Sequence, residues 1–243
     1  MKNVAIDLGN TRSKTALFED NRLVEGLETT DTDLLLRTIE SYNADNFIVS
    51  SVRKDTDLLA GKLPKKPLIF DNNVPVPIEN CYKSPQTLGT DRLAAAIGAK
   101  ALFPDKPCLV IDLGTCITYD FVTADNKFMG GMIAPGVRMR LKAMHEFTQK
   151  LPLVEWKPEQ EVPITASTTE EAILSGAVNG VKGEIHSLRE YYQILHPDLQ
   201  TILCGGDSIY FENIKKAGTF AVPKLVLYGL NQILMYNLPL ASN

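Results

Sequence analysis

Two stretches of the chain share one pattern of apolar and polar positions. Each has an apolar run, an acidic residue, a glycine turn, a second apolar run, an Asp-Asn turn and a third run. Ile6-Asp7-Leu8-Gly9-Asn10-Thr11 returns as Ile111-Asp112-Leu113-Gly114-Thr115-Cys116, an offset of 111 − 6 = 105 positions. A gapless alignment continues to Gly26 and Gly131. The pattern therefore predicts two copies of a three-stranded meander, one in each half of the chain.

Helical and strand patterns follow each predicted meander. The first half continues with an N-capped helix from Asp31, a strand at 47–49, a helix at 53–63, a strand at 68–70 and a helix at 93–102. The second half continues with helices at 137–147, 170–195 and 225–238 and strands at 199–203 and 220–222. This order predicts an α/β fold with mixed sheets in two domains, residues 1–106 and 107–243.

Composition and charge narrow the possible partners. The chain has 243 residues and a net charge of −4, with no dense Lys/Arg run, which argues against a nucleic-acid surface. No apolar run is long enough to cross a bilayer, so no membrane partner is expected. The four cysteines are widely spaced and form neither a zinc motif nor a disulfide framework. The N-terminus lacks a signal-peptide pattern, and we expect a cytoplasmic location.

The glycine turn of each predicted meander has groups suited to a phosphate. The glycine permits a close approach of the backbone, and the amides and hydroxyls that follow it provide hydrogen-bond donors. The carboxylate two residues before the glycine would repel a bare phosphate, so its presence suggests a cation between them. For a single copy, an ordinary strand end with a turn is the simpler interpretation; the duplication weakens it.

A second candidate site precedes the helix at 93–102. Residues 72–85 are rich in Pro and Asn, which predicts a surface segment, and they lead into Gly89-Thr90-Asp91-Arg92. A helix N-terminus favours anions. Helix capping alone would explain an acidic residue such as Asp91, but it does not require the arginine that follows.

These motifs together resemble the superfamily of actin, the heat-shock chaperone ATPases and the sugar kinases, and more narrowly type III pantothenate kinase. The resemblance extends from Asp7 to about Leu230 and implies two duplicated ribonuclease-H-like (actin-like ATPase) domains, each a mixed five-stranded sheet with flanking helices. It implies ATP-dependent phosphorylation of pantothenate to 4′-phosphopantothenate, the first step of coenzyme A biosynthesis. The implied cofactors are ATP with Mg²⁺ and a monovalent cation, K⁺ or NH₄⁺.

The resemblance also implies roles for individual residues. Asp91 would be the catalytic base, and Asp7 would hold Mg²⁺ directly or through water. Asp112 would ligate the monovalent cation. The implied ATP-binding residues are Asp7, Leu8, Gly9, Asn10, Thr11, Arg12, Ser13, Lys14 and Thr115. The implied pantothenate-binding residues are Tyr82, Gly89, Thr90, Asp91, Arg92 and Thr169, the last chosen because a threonine shortly before a Ser-Gly pair touches substrate in the family.

One departure from the family concerns the late Gly-Gly turn. This turn is often Thr-Gly-Gly in relatives but is Cys204-Gly205-Gly206 here, so no role carries over to Cys204. The glycine pair itself would let a flat ligand lie against the backbone, and a plain strand-to-helix turn explains it equally well.

Two further expectations concern assembly and packing. Gly176, Gly180 and Gly183 recur on the long helix at 170–195, which favours the close approach of another helix and, with the resemblance, a homodimer. Trp156 is expected to pack in a core. The three histidines share no motif, and surface or capping roles are expected for them.

Two other functional hypotheses remain open at this stage. One retains the nucleotide fold but makes the protein a kinase or phosphohydrolase for another small hydroxyl or phosphate substrate. The other is a nucleotide-dependent regulatory accessory factor without enzymatic activity. The acidic net charge argues against a DNA-binding regulator.

Overall fold

The computed structural model describes residues 1–9, 12–51, 59–214 and 217–241, without the side chains of 212–214 and 239–241. Its strands are β1 (Lys2–Leu8), β2 (Ser13–Glu19), β3 (Arg22–Thr29), β4 (Asn46–Ser51), β5 (Leu68–Ile69), β6 (Glu79–Asn80), β7 (Cys108–Leu113), β8 (Cys116–Val122), β9 (Lys127–Pro135), β10 (Gln200–Cys204) and β11 (Thr219–Ala221). Its α-helices are α1 (Thr32–Ser41), α2 (Thr90–Leu102), α3 (Val137–Glu146), α4 (Thr169–Leu195) and α5 (Leu225–Ala241). The mixed α/β class is confirmed.

The first sheet is the predicted meander extended by two parallel strands. Its order is β3-β2-β1-β4-β5, with β1–β2 and β2–β3 antiparallel and β1–β4 and β4–β5 parallel. Helix α1 begins as predicted, because the Asp31 carboxylate accepts hydrogen bonds from the backbone N–H groups of Asp33 and Leu34. Its apolar face, Leu35 and Ile39, is fully buried in the core of this sheet. The helix predicted at 53–63 lies largely outside the described residues.

The second sheet has the order β11-β10-β7-β8-β9-β6. The pairings of β10 with β7 and with β11 are parallel, as is the pairing of β6 with the start of β9. Strand β6 is a two-residue edge strand inside residues 72–85, the predicted surface segment. It makes this sheet six-stranded, whereas five strands were expected. Trp156 is buried in the core of this sheet, as expected.

The chain divides into two compact units. One comprises residues 1–105, 122–130 and 224–243, and the other comprises residues 106–121 and 131–223. The predicted boundary between residues 106 and 107 remains a proposal. The first unit differs from the predicted first domain mainly because it includes α5.

Helix α5 packs on β1 and on α2 within the first unit. A buried amide pair fixes it to the sheet, because the Asn3 side chain donates to Asn231 Oδ1 over 3.0 Å. Asn231 in turn donates to the backbone oxygen of Asp20 over 2.8 Å. The last helix therefore completes the layer that supports the first meander.

Candidate active site

Asp7 lies at the carboxyl end of the central strand β1, which is where ligands bind in open α/β sheets. Its register partners are Lys14 on β2 and Ser50 on β4. Residues in register on neighbouring strands project to the same face of a sheet. The structure therefore places a carboxylate, an ammonium group and a hydroxyl in one row across three strands.

The glycine turn after β1 is tight. A Cβ atom on Gly9 would lie 2.9 Å from the backbone oxygen of Arg12, so a larger residue would force the turn open. Asn10 and Thr11, two predicted ATP contacts, lie outside the described residues. The other predicted contacts of this turn differ in exposure: Leu8 and Ser13 are buried, while Arg12 is exposed and pairs with Glu28 over 3.2 Å. A contact from Leu8 to ATP would therefore involve its backbone.

The Gly-x-Asp-Arg motif forms the start of α2, as predicted. Gly89 is the N-cap residue and Asp91 lies in the first turn, where its Oδ1 accepts a hydrogen bond of 2.9 Å from the backbone N–H of Arg92. A Cβ atom on Gly89 would lie only 2.4 Å from this Oδ1. Glycine at the first position of the motif therefore leaves space for the Asp91 carboxylate in this orientation.

Ser50 is a member of this site that the sequence reasoning missed. It is 1% exposed, and its Oγ lies 2.9 Å from the Thr90 hydroxyl. Because Ser50 is also the register partner of Asp7, it links the end of β1 to the start of α2. The motifs around Asp7 and Asp91 are thus neighbours through one buried serine, and only the pairing of β1 with β4 reveals this.

Tyr82 and Arg92, both predicted to bind pantothenate, contact each other. The Arg92 guanidinium carbon lies 5.5 Å from the centre of the Tyr82 ring, a cation–π distance. Arg92 is 7% exposed, so its stem belongs to the core of the first unit. The first unit therefore brings together Tyr82, Asp91 and Arg92 at the N-terminal end of α2.

The second glycine turn is enclosed by two further glycines of its own unit. A Cβ atom on Gly136 would lie 2.2 Å from the backbone oxygen of Gly114. Gly205 has a φ of +86°, and a Cβ atom there would lie 2.4 Å from Asp112 Oδ1. The structure thus explains the first glycine of the late Gly-Gly turn, which the sequence did not: Gly205 leaves space for the Asp112 carboxylate. A Cβ atom on Gly206 would meet no described atom within 4 Å.

The two copies of the repeat differ at the position of Lys14. Its counterpart, 105 positions later, is Tyr119, which is 2% exposed and donates a hydrogen bond of 3.3 Å to Glu184. Burial and the Glu184 carboxylate raise the pKa of the Tyr119 hydroxyl. Glu184 also accepts two hydrogen bonds from Arg140, at 2.7 and 2.8 Å. In the second copy this position therefore holds a buried tyrosine, whereas in the first copy it holds the Lys14 ammonium group beside Asp7.

Thr115 and Thr169 are both exposed residues of the second unit. Thr115 contributes its backbone oxygen to a hydrogen bond with the Gly136 N–H, at 3.1 Å, and so helps to close the second turn. Thr169 is the first residue of α4, next to the N-cap Thr168, whose hydroxyl accepts from the Glu171 N–H.

The three histidines occupy structural positions. His145 Nδ1 lies 2.8 Å from the Leu151 backbone oxygen, His186 pairs with Glu190 along α4, and His196 is the C-cap of α4. These positions agree with the expected surface and capping roles.

A groove of about 770 Å³ in the second unit lies between α3 and the loop at 153–159. Arg138 lies on its wall, with its guanidinium carbon 4.9 Å from the centre of the Trp156 ring, and also forms two 2.9 Å hydrogen bonds to Asp207. None of the predicted site residues lines this groove, and the volume of the groove alone does not indicate a function.

The carboxylate beside the first glycine turn suits the way in which proteins usually bind Mg²⁺. Mg²⁺ is commonly held by one or two carboxylates, with water and substrate phosphates as the remaining ligands. Among the described residues, no group of three or more His, Cys, Asp or Glu side chains is arranged to bind a metal. Asp7, at the carboxyl end of β1, is one carboxylate of the kind that this form of Mg²⁺ binding uses.

Within the described part of the chain, none of the helices combines the length and the apolar character needed to cross a membrane.

Comparison with solved structures identifies proteins with a similar fold. The structure matches a conserved Campylobacter jejuni protein described as a Baf family transcriptional activator, with a TM-score of 0.64 and 18% identity over 96% of this chain and 98% of that one. It also matches the ROK hexokinase of Thermus thermophilus, with a TM-score of 0.53 and 12% identity over 98% and 99% of the two chains. At these identities the likeness concerns the fold, and it confirms the actin-like ATPase class.

Sequence comparison is more specific. A protein from Phocaeicola vulgatus named type III pantothenate kinase is 41% identical over 97% of this chain and 98% of its own length. A second from Cytophaga hutchinsonii, with the same name, is 39% identical over 97% and 99%. The family model for type III pantothenate kinase matches residues 3–190, a range that contains every predicted site residue. This chain belongs to the type III pantothenate kinase family.

Proposed function

We propose that this protein transfers the γ-phosphoryl group of ATP to the primary hydroxyl of pantothenate, with Asp91 as the base that accepts the hydroxyl proton. Family membership supplies the reaction, and it does not favour the alternative acceptors or the non-enzymatic regulator. The roles of individual residues are what the proposal adds. The observation that carries it is the buried Ser50, which joins the end of β1 at Asp7 to the start of α2 at Asp91.

Phosphoryl transfer is catalysed mainly by alignment and by neutralisation of charge. Asp91 lies at a helix N-terminus with its carboxylate positioned by the Arg92 N–H. There it orients the acceptor hydroxyl and takes its proton as the new P–O bond forms and the bond between the γ-phosphorus and the leaving ADP oxygen breaks. Lys14 binds phosphate oxygens beside Asp7, and the Mg²⁺ that accompanies ATP supplies further neutralisation of the phosphate charge. Arg92 and Tyr82 hold the acceptor through its polar groups.

Replacement of the base tests this assignment. Removing a positioned general base costs about 10²- to 10⁴-fold in rate. We expect Asp91→Asn to bind ATP normally but to turn over at least about a hundredfold more slowly. A matched control is Asp33→Asn, which changes a first-turn acidic residue of α1 that has no role in the proposed reaction.

The reaction itself is measured by ADP release coupled to NADH oxidation, with pantothenate and a panel of other small hydroxyl compounds as acceptors. Stimulation by pantothenate above all others is the expected result. No stimulation by pantothenate would exclude the proposed acceptor, and near-normal turnover of Asp91→Asn would exclude Asp91 as the base while leaving the acceptor unaffected.

We further propose a monovalent cation, K⁺ or NH₄⁺, at Asp112. The carboxylate is half-buried at the carboxyl end of β7, and Gly205 leaves space beside it. The wild-type rate should depend on K⁺, and Asp112→Asn should lose that dependence. A rate that is the same in Na⁺ and K⁺ buffers would contradict this site.

A homodimer through α4 is also part of the proposal. Cβ atoms on Gly176 and Gly183 would meet no described atom within 4 Å, so within the described chain nothing packs on these glycines. Tyr191, Ile194 and Leu195 are exposed apolar residues of the same helix. Sedimentation velocity should show a dimer for the wild type and for Glu40→Phe on α1, and a monomer of reduced activity for Gly176→Phe. A fully active monomer would refute the role of the dimer in catalysis.

A further inference from the structure

The ring of Tyr82 lies against the backbone of Gly130. A Cβ atom built on Gly130 would lie 2.7 Å from Tyr82 Cδ2 and 2.8 Å from Cε2. Contacts this short do not occur in folded proteins, so any side chain at position 130 requires the ring to move. On its other sides the ring meets Arg92 and the tilted ring of Phe128, whose centre is 6.3 Å away.

The backbone on both sides of this contact is held by hydrogen bonds, so we expect the ring to move more readily than the chain. Strand β6 pairs with β9, and the pairing continues past β6 with a 3.0 Å hydrogen bond from the Cys81 N–H to the Phe128 oxygen. The Tyr82 N–H itself donates to Asn80 Oδ1 over 3.0 Å. The residue before Tyr82 is therefore hydrogen-bonded to β9, the strand that carries Gly130 two residues after Phe128.

Two adjacent glycines interrupt β9, although glycine weakens a strand interior. They are needed for different reasons. A Cβ atom on Gly131 would lie 1.6 Å from the Tyr119 backbone oxygen, which makes this glycine a requirement of sheet packing. Gly130 has a φ of +82°, in the left-handed region that favours glycine. Among the described atoms outside its chain neighbours, those within 4 Å of a Cβ built there all belong to Tyr82.

We infer that Gly130 is a positioning residue that sets the orientation of the Tyr82 ring, and through it the geometry of the acceptor pocket. The inference rests on the proposed function, in which Tyr82 and Arg92 hold pantothenate. With alanine at position 130, the 2.7 Å contact would have to open to at least 3.4 Å, which turns or lifts the ring away from Arg92. The acceptor site would change, whereas the phosphate turn at Asp7 would not.

Kinetics of Gly130→Ala, Tyr82→Ala and the double variant test this inference. We expect Gly130→Ala to raise the KM for pantothenate about tenfold, with little change in the KM for ATP. In the Tyr82→Ala background the same substitution should change the KM for pantothenate less than about twofold, because residues that act through one contact are not additive. Equal effects of Gly130→Ala in both backgrounds would overturn the inference.

Gly218→Ala is the matched control. Gly218 also has a positive φ, +76°, and a Cβ atom there would lie 3.2 Å from the Leu199 oxygen, in a turn before β11. It imposes a comparable backbone strain without touching Tyr82, so the KM for pantothenate should stay at the wild-type value. A similar rise in this control would show that general destabilisation, and not the Tyr82 ring, explains the kinetics.

Thermal unfolding gives a second readout that needs no activity. Gly130→Ala should lower the melting temperature more in the wild-type background than in Tyr82→Ala, because removal of the ring relieves the overlap and leaves only the backbone strain. Equal losses in both backgrounds would refute the contact. If pantothenate proved not to be the acceptor, the unfolding cycle would still decide whether Gly130 positions Tyr82, so the two failures are distinguishable.

Discussion

The crossing of α2 and α5 gives a prediction in which stability and catalysis change together. The helices meet at two glycines, with a Cβ atom on Gly229 falling 1.7 Å from the Ala94 oxygen and one on Gly98 falling 2.4 Å from the Leu225 oxygen. To restore the ordinary contact distance of 3.4 Å, Gly229→Ala would have to separate the helices by 3.4 − 1.7 = 1.7 Å. That separation would displace α2, which presents Asp91 at its first turn.

The expected magnitudes follow from this displacement. Overpacking costs about 1–3 kcal/mol of unfolding free energy. Alanine in a helix interior would otherwise stabilise it by about 1 kcal/mol relative to glycine, so the close crossing reverses the sign of the effect. Because a misplacement of about 1 Å can cost 10²-fold in rate, turnover should fall by about that factor.

Urea unfolding and steady-state kinetics with saturating substrates measure the two effects. Tyr236→Gln, at an exposed position of the same helix, is the control and should stay within about 0.5 kcal/mol of the wild type. A Gly229→Ala protein with unchanged or increased stability and normal turnover would show that α2 and α5 do not approach as closely as described, and that α5 has no part in placing Asp91.

The remaining predictions concern Ser50 and the cysteines. Ser50→Ala should lower the unfolding free energy by about 1–3 kcal/mol, because it leaves the Thr90 hydroxyl without this partner. The substitution should also slow turnover. A double-mutant cycle with Thr90→Val that shows no coupling would contradict the link between Ser50 and Thr90. Iodoacetamide at pH 8 should modify the exposed Cys116 before Cys81, because partial burial and the Glu79 carboxylate raise the pKa of the Cys81 thiol and reduce its reactive thiolate. Peptide mass spectrometry measures the order, and faster labelling of Cys81 would contradict it.

The local features of the fold were predictable from short-range patterns. Asp31 marked the start of α1 and Gly89 the start of α2, because helix caps depend on residues within a few positions of each other. The repeat of the Asp-x-Gly turn predicted both meanders for the same reason, and the strands predicted at 47–49 and 199–203 agree with β4 and β10 within one or two residues at each end. The roles of Asp91, Tyr82 and Thr169 came from the resemblance, and they remain proposals.

Features that depend on distant parts of the chain were not predictable in this way. Nothing local to Ser50 indicates a bond to Thr90, and nothing local to Gly205 indicates the Asp112 carboxylate. The glycine pair in β9 gave a signal, since glycine inside a strand often marks a close approach, but only the structure shows that Tyr82 fills the space at Gly130.

The sequence by itself determined the duplicated meander, the two phosphate-type turns and the motif at the start of α2, because each is a pattern of adjacent residues whose backbone preferences are local. The sequence also shows that the second copy has Tyr119 where the first has Lys14, and the tertiary structure decided what each of these two side chains does. In the fold, Tyr119 is buried and donates a hydrogen bond to Glu184, whereas Lys14 lies beside Asp7 on the neighbouring strand. The tertiary structure also joined Asp7 to the helix that carries Asp91 through Ser50, because strand pairing and burial bring together residues that no spacing in the sequence relates.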